Sequence, residues 1–240
     1  MYYGGYGGGL NGTLIWWVIL GVTMLLSFGA MAYLKTQFAK ASQVRIASGL
    51  TGAQAAQRIL QSAGINDVEI VEGEGFLGDH YDPMNKKLVL SPDNFEGSSA
   101  ANVGVAAHEC GHALQHQQHY APLHIRMGAV YATNFASQLV MWIPLIAIFT
   151  HIISMYTAIW LMAVGFGVLM FFNLITLPVE FDASARAKRV LQQLGIVRPG
   201  PEAAAVNSCL NAAGLTYVAA FIGSLLQFLY YVMLLTNRRN

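Results

Sequence analysis

The stretch GAVYATNFASQLVMWIPLIAIFTHIISMYTAIWLMAVGFGVLMFFNLITL, residues 128–177, decides the fold class. It contains no Asp, Glu, Lys or Arg. It is also too long for one membrane crossing, which takes about 20 apolar residues. A polar patch at Thr150-His151 and Ser154 divides it. The stretch therefore predicts a helical hairpin with transmembrane helices over residues 128–150 and 154–177.

Two further uncharged runs, residues 13–34 and 212–235, predict a first and a last transmembrane helix. A cleavable signal peptide is the alternative for the first run, although the residues before it carry no Lys or Arg. Residues 1–12 are rich in Gly and Tyr, so we expect a flexible tail. A segment that enters the membrane and returns is the alternative for the last run.

The composition supports a lipid environment. Of 240 residues, 55% are hydrophobic and 10% are charged, whereas soluble domains average about 25% charged residues. The 13 Lys and Arg nearly balance the 12 Asp and Glu, which argues against a nucleic-acid partner. Cys110 and Cys209 are expected to be free thiols. We predict a mainly α integral membrane protein with four transmembrane helices and a small α+β region.

The positive charges predict the orientation of the chain. Lys and Arg concentrate in residues 35–127 and 178–211, so both segments are expected on the cytoplasmic side. The protein is then a multi-pass protein of the cell's inner (plasma) membrane. Arg238 and Arg239 fall on the outer side, against the rule.

Two helices are predicted within residues 35–127. Residues 51–54, Thr-Gly-Ala-Gln, form a capping-box pattern that opens a helix, and Gly64 is placed to end it. Ser98 or Ser99 then caps a helix of small residues over 100–117.

Short strands are predicted between these helices. Residues 68–70 alternate in polarity, and the turn residues 81–85 precede the apolar Leu88, Val89 and Leu90. An extended peptide could pair with the strand at Leu88–Leu90, so we predict it as a substrate-binding strand.

Chemistry is predicted in the helix over residues 100–117, which contains His108-Glu109-Cys110-Gly111-His112. Residues four apart share one helical face, so His108 and His112 can bind one Zn²⁺ ion while Glu109 reaches its bound water as a general base. Cys110 points away from that face and is expected to be packed. A surface helix with two unrelated histidines is the alternative.

The third ligand must come from elsewhere in the chain. A longer motif fails, because Gln115 and Gln118 stand where it requires glycine and histidine. His116 and His119 are out of register, and we expect them to be solvated or near lipid headgroups.

Glu180 is the better candidate for the third ligand. Two membrane crossings separate it from His112, and an even number returns the chain to the same face. Asp182 is the alternative ligand, and Asp182 or Ser184 could instead hold an imidazole N–H. The remaining interpretation is that Glu180 lies at a helix N-terminus near the membrane interface and binds no metal.

Three segments carry a resemblance to a known family: HECGHALQH (108–116), EFDASARA (180–187) and GDHYDPMNKKLVLSP (78–92). With the single leading span, they resemble the bacterial YugP family of membrane zinc metallopeptidases. More distantly, the layout is similar to the HtpX and CAAX prenyl proteases. The resemblance implies Glu180 as the third ligand, although Ser184 stands where those distant families have an aspartate.

The predicted function is a membrane-bound zinc metalloendopeptidase acting on membrane-proximal tails, loops or unfolded membrane proteins at the cytoplasmic face. Arg186, Arg189, His80 and Tyr81 are unranked candidates for stabilising the oxyanion. A non-catalytic membrane scaffold that holds metal structurally is the alternative. A transporter is disfavoured because its spans would need polar residues. Cobalt or manganese would fit the same ligands.

Overall fold

A computed structural model describes residues 9–73, 78–150 and 152–237. Most of the described chain is helical, and the helices and strands follow one another in the order α1 (Gly9–Ser42), α2 (Gly52–Ser62), β1 (Glu69–Glu72), β2 (His80–Asp82), β3 (Lys87–Leu90), α3 (Pro92–Glu96), α4 (Ala100–Gln117), α5 (Ala121–Thr150), α6 (Met155–Gln193) and α7 (Pro201–Thr236).

Within the described residues, four helices are long and apolar enough to cross a membrane: α1, α5, α6 and α7. The prediction of a mainly α membrane protein with a small α+β region is confirmed. Each helix extends beyond the apolar run that predicted it. The predicted tail is wrong for residues 9–12, which are already helical. Residues 1–8, His151 and Arg238-Arg239 lie outside the described residues.

The first of two compact units is formed by the described residues of the segments 1–29, 128–174 and 218–240. Within it α5 and α6 approach closely at Gly165, where a Cβ would lie 2.6 Å from a Val140 methyl group. Asn173 on α6 donates to Ser224 Oγ on α7 at 3.0 Å. Many large apolar side chains of this unit are exposed, as lipid-facing side chains would be.

The second unit consists of residues 30–127 and 175–217 and is built around α4. Most residues of α4 are buried, and many of them are Ala or Gly. Small side chains let neighbouring elements approach the backbone of α4 closely. The core around it comes from α2, β3 and the parts of α6 and α7 that belong to this unit.

The helix ends confirm the capping predictions. Thr51 and Gln54 form both hydrogen bonds of a capping box at the start of α2. Gly64, at φ 70°, has the left-handed conformation that glycine adopts at low cost after a helix. At the start of α4 the cap is Ser99, paired with Asn102.

The sheet has the order β1-β3-β2, with β3 in the centre. β1 pairs with β3 in parallel and β2 pairs with it antiparallel, so Leu88 and Val89 have partners on both sides, and Leu90 pairs with Glu72. The prediction that Leu88–Leu90 receive an extended substrate is therefore wrong, because β3 has no edge left for another strand.

Candidate metal centre

Three predicted residues meet in the second unit. His108 and His112 lie one turn apart on α4, and Glu180 reaches them from α6. One ligand atom from each lies within 4.8 Å of the other two. His112 and Glu180 are buried, and the His108 side chain is 13% exposed. The chain thus brings together two imidazoles and a carboxylate from segments that are far apart in sequence.

The spacing of these atoms fits a zinc ion. Glu180 Oε2 lies 3.2 Å from His108 Nε2 and 3.7 Å from His112 Nε2. Tetrahedral ligands at about 2.0–2.1 Å from zinc lie about 3.4 Å from one another. Nitrogen and carboxylate oxygen are also donors that zinc favours. The three residues could therefore hold the ion with little movement.

The other nitrogen of each imidazole is held by a neutral side chain. His108 Nδ1 lies 3.1 Å from Ser184 Oγ, and His112 Nδ1 lies 3.0 Å from Gln115 Oε1. When each Nδ1–H donates to its oxygen, the lone pair of each ring is left on Nε2. Both Nε2 atoms face Glu180. Ser184 therefore lies where it could hold the imidazole N–H of His108, which is the role predicted for Asp182 or Ser184 from the sequence.

Gln115 was missed as a functional residue. It is fully buried, and its amide nitrogen donates to Val179 O and to Asp182 Oδ2, both at 2.8 Å. Asp182 also accepts from Arg186. Asp182 is therefore linked to His112 through Gln115, and the clustered ligand atoms belong to His108, His112 and Glu180. The position of Gln115, three residues after His112, was the available signal.

Gly111 allows α4 and α6 to meet. A Cβ at this position would lie 2.5 Å from Ala183 O and 3.0 Å from Ala183 Cα. Real Cβ atoms essentially never approach another atom to less than 3.0 Å. Because Gly111 precedes His112 and Ala183 precedes Ser184, this contact sets the distance between the two ligand-bearing helices.

The two remaining residues of the motif differ in role. Glu109 is buried beside the imidazoles. Burial disfavours the charged form of His112, but the hydrogen bond that its ring donates to Glu180 and the charges of Glu109 and Glu180 outweigh the effect of burial and raise the pKa of His112. Cys110 is fully buried against Ala56 O, and burial raises its pKa well above the usual range. Cys110 is a packed residue, as predicted.

Arg126 and Tyr217 complete the surroundings of Glu180. Arg126, on α5, places Nη1 2.8 Å from Glu180 Oε1. Tyr217, on α7, has Glu180, Arg126 and Glu109 as electrostatic neighbours. In the sequence Arg126 counts only as one of the positive charges that predict orientation, and Tyr217 carries no signal of its own. Neither residue belongs to a local pattern that would have identified it.

The other candidates lie apart from the three ligand atoms. His116 Nδ1 is 2.9 Å from Tyr81 Oη. His80 is exposed in β2, with Nδ1 2.6 Å from Gly78 O. Arg186 binds Asp182 and Gln118, and Arg189 is exposed. Their role as oxyanion donors stays a prediction, and Arg186 is already engaged by other side chains.

The fold and the site together define a class of protein, a membrane protein with an HExxH helix and a glutamate on a second helix. This is the ligand pattern of zinc metallopeptidases. Residues 16–236 match the family described as "Putative neutral zinc metallopeptidase", and the chain belongs to that family.

A relative extends this result. The chain is 42% identical over 215 residues to a protein of Bacillus subtilis (strain 168) named "Putative membrane protease YugP", covering 90% of this chain and 94% of the relative. No solved structure matches the chain. The family resemblance and the zinc cofactor predicted from the sequence are confirmed at this level.

Proposed function

We propose that this protein is a membrane-bound zinc endopeptidase that hydrolyses membrane-proximal or unfolded membrane-protein substrates at the cytoplasmic face. The observation that carries the proposal is the convergence of His108 Nε2, His112 Nε2 and Glu180 Oε2 beside a buried Glu109. Three protein ligands leave one position for water, which is the catalytic arrangement and not the structural one.

Each residue has a distinct task in this mechanism. His108, His112 and Glu180 would hold zinc, which supplies an activated water and polarises the scissile carbonyl. Glu109 accepts a proton from the attacking water and later donates it to the leaving amine. Ser184 and Gln115 fix the ring orientations of the two histidines.

The sheet offers a place for an extended substrate at β2. Among the described strands, β2 pairs only with β3, so its other edge is free. Tyr81 of β2 contacts His116, which lies one helical turn beyond His112 on α4. An extended peptide paired with β2 would therefore run beside the histidine face, and backbone pairing places little demand on its sequence.

The test of the catalytic proposal is Glu109→Gln. The variant should retain zinc and lose cleavage of an unfolded membrane protein, because the amide cannot accept the proton. Glu96→Gln, at an exposed glutamate on α3, is the matched control. Undiminished turnover by Glu109→Gln would reject the assigned base.

Glu180→Ala tests the third ligand. It should lose zinc at limiting metal, since two imidazoles alone bind the ion weakly. Full zinc retention would remove Glu180 from the ligand set.

The cytoplasmic orientation has its own test. Met84 is 82% exposed, and both native cysteines are buried, so Met84→Cys would add a reactive thiol. In right-side-out vesicles an impermeant maleimide should label this thiol only after permeabilisation. Labelling of intact vesicles would place the site on the outer face.

A metal-holding scaffold is the second candidate function. The observation in its favour is the dense network around the ligands, with both Nδ1 atoms and Oε1 of Glu180 engaged. The scaffold predicts that Glu109→Gln leaves every cellular function of the protein intact.

A further inference from the structure

The two carboxylate oxygens of Glu180 face different partners. Oε2 faces the Nε2 atoms of His108 and His112, at 3.2 Å and 3.7 Å. Oε1 lies 2.8 Å from Arg126 Nη1. The Glu180 side chain is 2% exposed, so water competes little with its ion pair to Arg126.

A carboxylate can bind a metal ion through one oxygen or through both. With both oxygens bound, the carboxylate occupies an additional coordination position, and a water molecule has less room at the ion. A charge-assisted hydrogen bond at Oε1 competes directly with that second metal contact. The denticity of Glu180 therefore depends on what Oε1 meets.

We infer that Arg126 is a positioning residue that restricts Glu180 to a single metal-binding oxygen, Oε2. The inference rests on the proposed metal-binding function of the site. Arg126 acts on the ion only through Glu180, and its charge offsets that of the carboxylate. The ion then keeps more of its positive charge for the bound water.

The local fold holds Arg126 in this place. α4 ends at Gln117 and α5 begins at Ala121, so a short turn joins the histidine helix to the helix that bears Arg126. The N–H of Tyr120 donates to Gln115 O across that turn. Arg126 thus approaches Glu180 from the chain segment that follows the HExxH helix.

The experiment compares metal coordination in the full-length protein and in Arg126→Met, which keeps side-chain length and removes the charge. Both are loaded with Co²⁺ in detergent, and visible absorption and X-ray absorption report the coordination number. We expect a four-coordinate ion in the wild type and one additional oxygen in Arg126→Met, with weaker visible absorption. In the zinc form kcat should fall about 10- to 100-fold, the usual range for outer partners of ligands, with KM nearly unchanged.

Two further variants make the result decisive. Arg58→Met removes an exposed arginine of α2, outside the candidate site residues, and should match the wild type. Arg126→Lys keeps the cation and should restore the four-coordinate spectrum at least in part. If Arg126→Met loses the metal while Arg126→Lys retains it with four ligands, the inference is supported.

An unchanged coordination number in Arg126→Met would overturn the inference. Loss of metal from both Arg126 variants would overturn it as well, because Arg126 would then hold the site together and not select one oxygen. The spectra do not depend on peptide cleavage. A wild type that shows the expected coordination but cleaves nothing would therefore reject the proposed function and leave the role of Arg126 standing.

Discussion

Replacing Gly111 by alanine would disturb the metal centre without altering any ligand. The new Cβ would lie 2.5 Å from Ala183 O, about 0.9 Å short of the ordinary contact limit of 3.4 Å. Ala183 O is a backbone atom in α6, so it cannot move aside as a flexible side chain would. Relief of the clash requires α4 and α6 to separate.

The size of the effect follows from that separation. Overpacking of a close contact costs about 1–3 kcal/mol of stability. The distance between His112 Nε2 and Glu180 Oε2 is already 3.7 Å, and further separation moves it away from the tetrahedral spacing of about 3.4 Å. A displacement of about 1 Å costs about 100-fold in rate. We expect weaker zinc binding and a loss of that order in kcat/KM.

Gly104→Ala is the matched control, because Gly104 lies on the same helix and its Cβ would meet Val206 at an ordinary 3.5 Å. Both substitutions gain about 1 kcal/mol of helix propensity, so their difference reports the clash. Zinc titration against a chromophoric chelator, thermal unfolding and peptide hydrolysis would be measured for each variant. If Gly111→Ala and Gly104→Ala agree within twofold in zinc affinity and activity, the helix contact does not set the ligand geometry.

Further outcomes follow from the same site. Gln115→Leu removes the oxygen that faces His112 Nδ1 and the amide that donates to Val179 O and Asp182. We therefore expect a loss of about 1–3 kcal/mol in stability and of 10- to 100-fold in zinc affinity; wild-type affinity would contradict the orienting role. Ser184→Ala should weaken zinc binding less than Gln115→Leu, because it removes one hydrogen bond and Gln115→Leu removes three. Equal or greater weakening in Ser184→Ala would reverse this ranking. Removal of zinc by a chelator should lower Tm. When free zinc starts at about 100 times its Kd, the expected loss in the free energy of unfolding is about 2.7 kcal/mol, and a variant lacking His112 should show no such loss. The pKa of His112 is raised in the metal-free fold, so the stabilisation from its proton is present at low pH and is lost as pH rises through the folded-state pKa. Below that pKa zinc must displace the proton, so zinc affinity should fall as pH falls. Zinc binding that calorimetry finds independent of pH would exclude this competition between zinc and the proton.

Local patterns predicted much of the second unit. The bounds of α4, the capping box of α2 and the strand β3 follow from residues within a few positions of one another. β2 was not predicted, because its residues Tyr81 and Asp82 were assigned to the turn before β3. Glu180 is non-local, yet it was a candidate because membrane crossings limit which segments can share a face. That constraint comes from the bilayer: the number of apolar runs between two segments decides whether they lie on the same side of the membrane.

The residues that were missed depend on packing between distant segments. Gln115 and Arg126 matter because α6 lies against α4 and the start of α5, and no spacing in the sequence encodes that contact. The substrate strand was misassigned for a similar reason. A strand's neighbours are set by the order of the sheet, and β1 pairs with β3 from outside the local hairpin.

The neutral partners of the two imidazoles have a consequence for the supply of metal. A carboxylate bound directly to a ligating histidine enriches the ring in electrons and tightens its grip on the ion. Here the hydroxyl of Ser184 and the amide of Gln115 contact the two rings, and the carboxylate of Asp182 contacts the Gln115 amide. Zinc bound at such a centre is a stronger Lewis acid, and the centre binds it with lower affinity. The fraction of sites occupied in the cell should therefore follow the concentration of free zinc at the membrane.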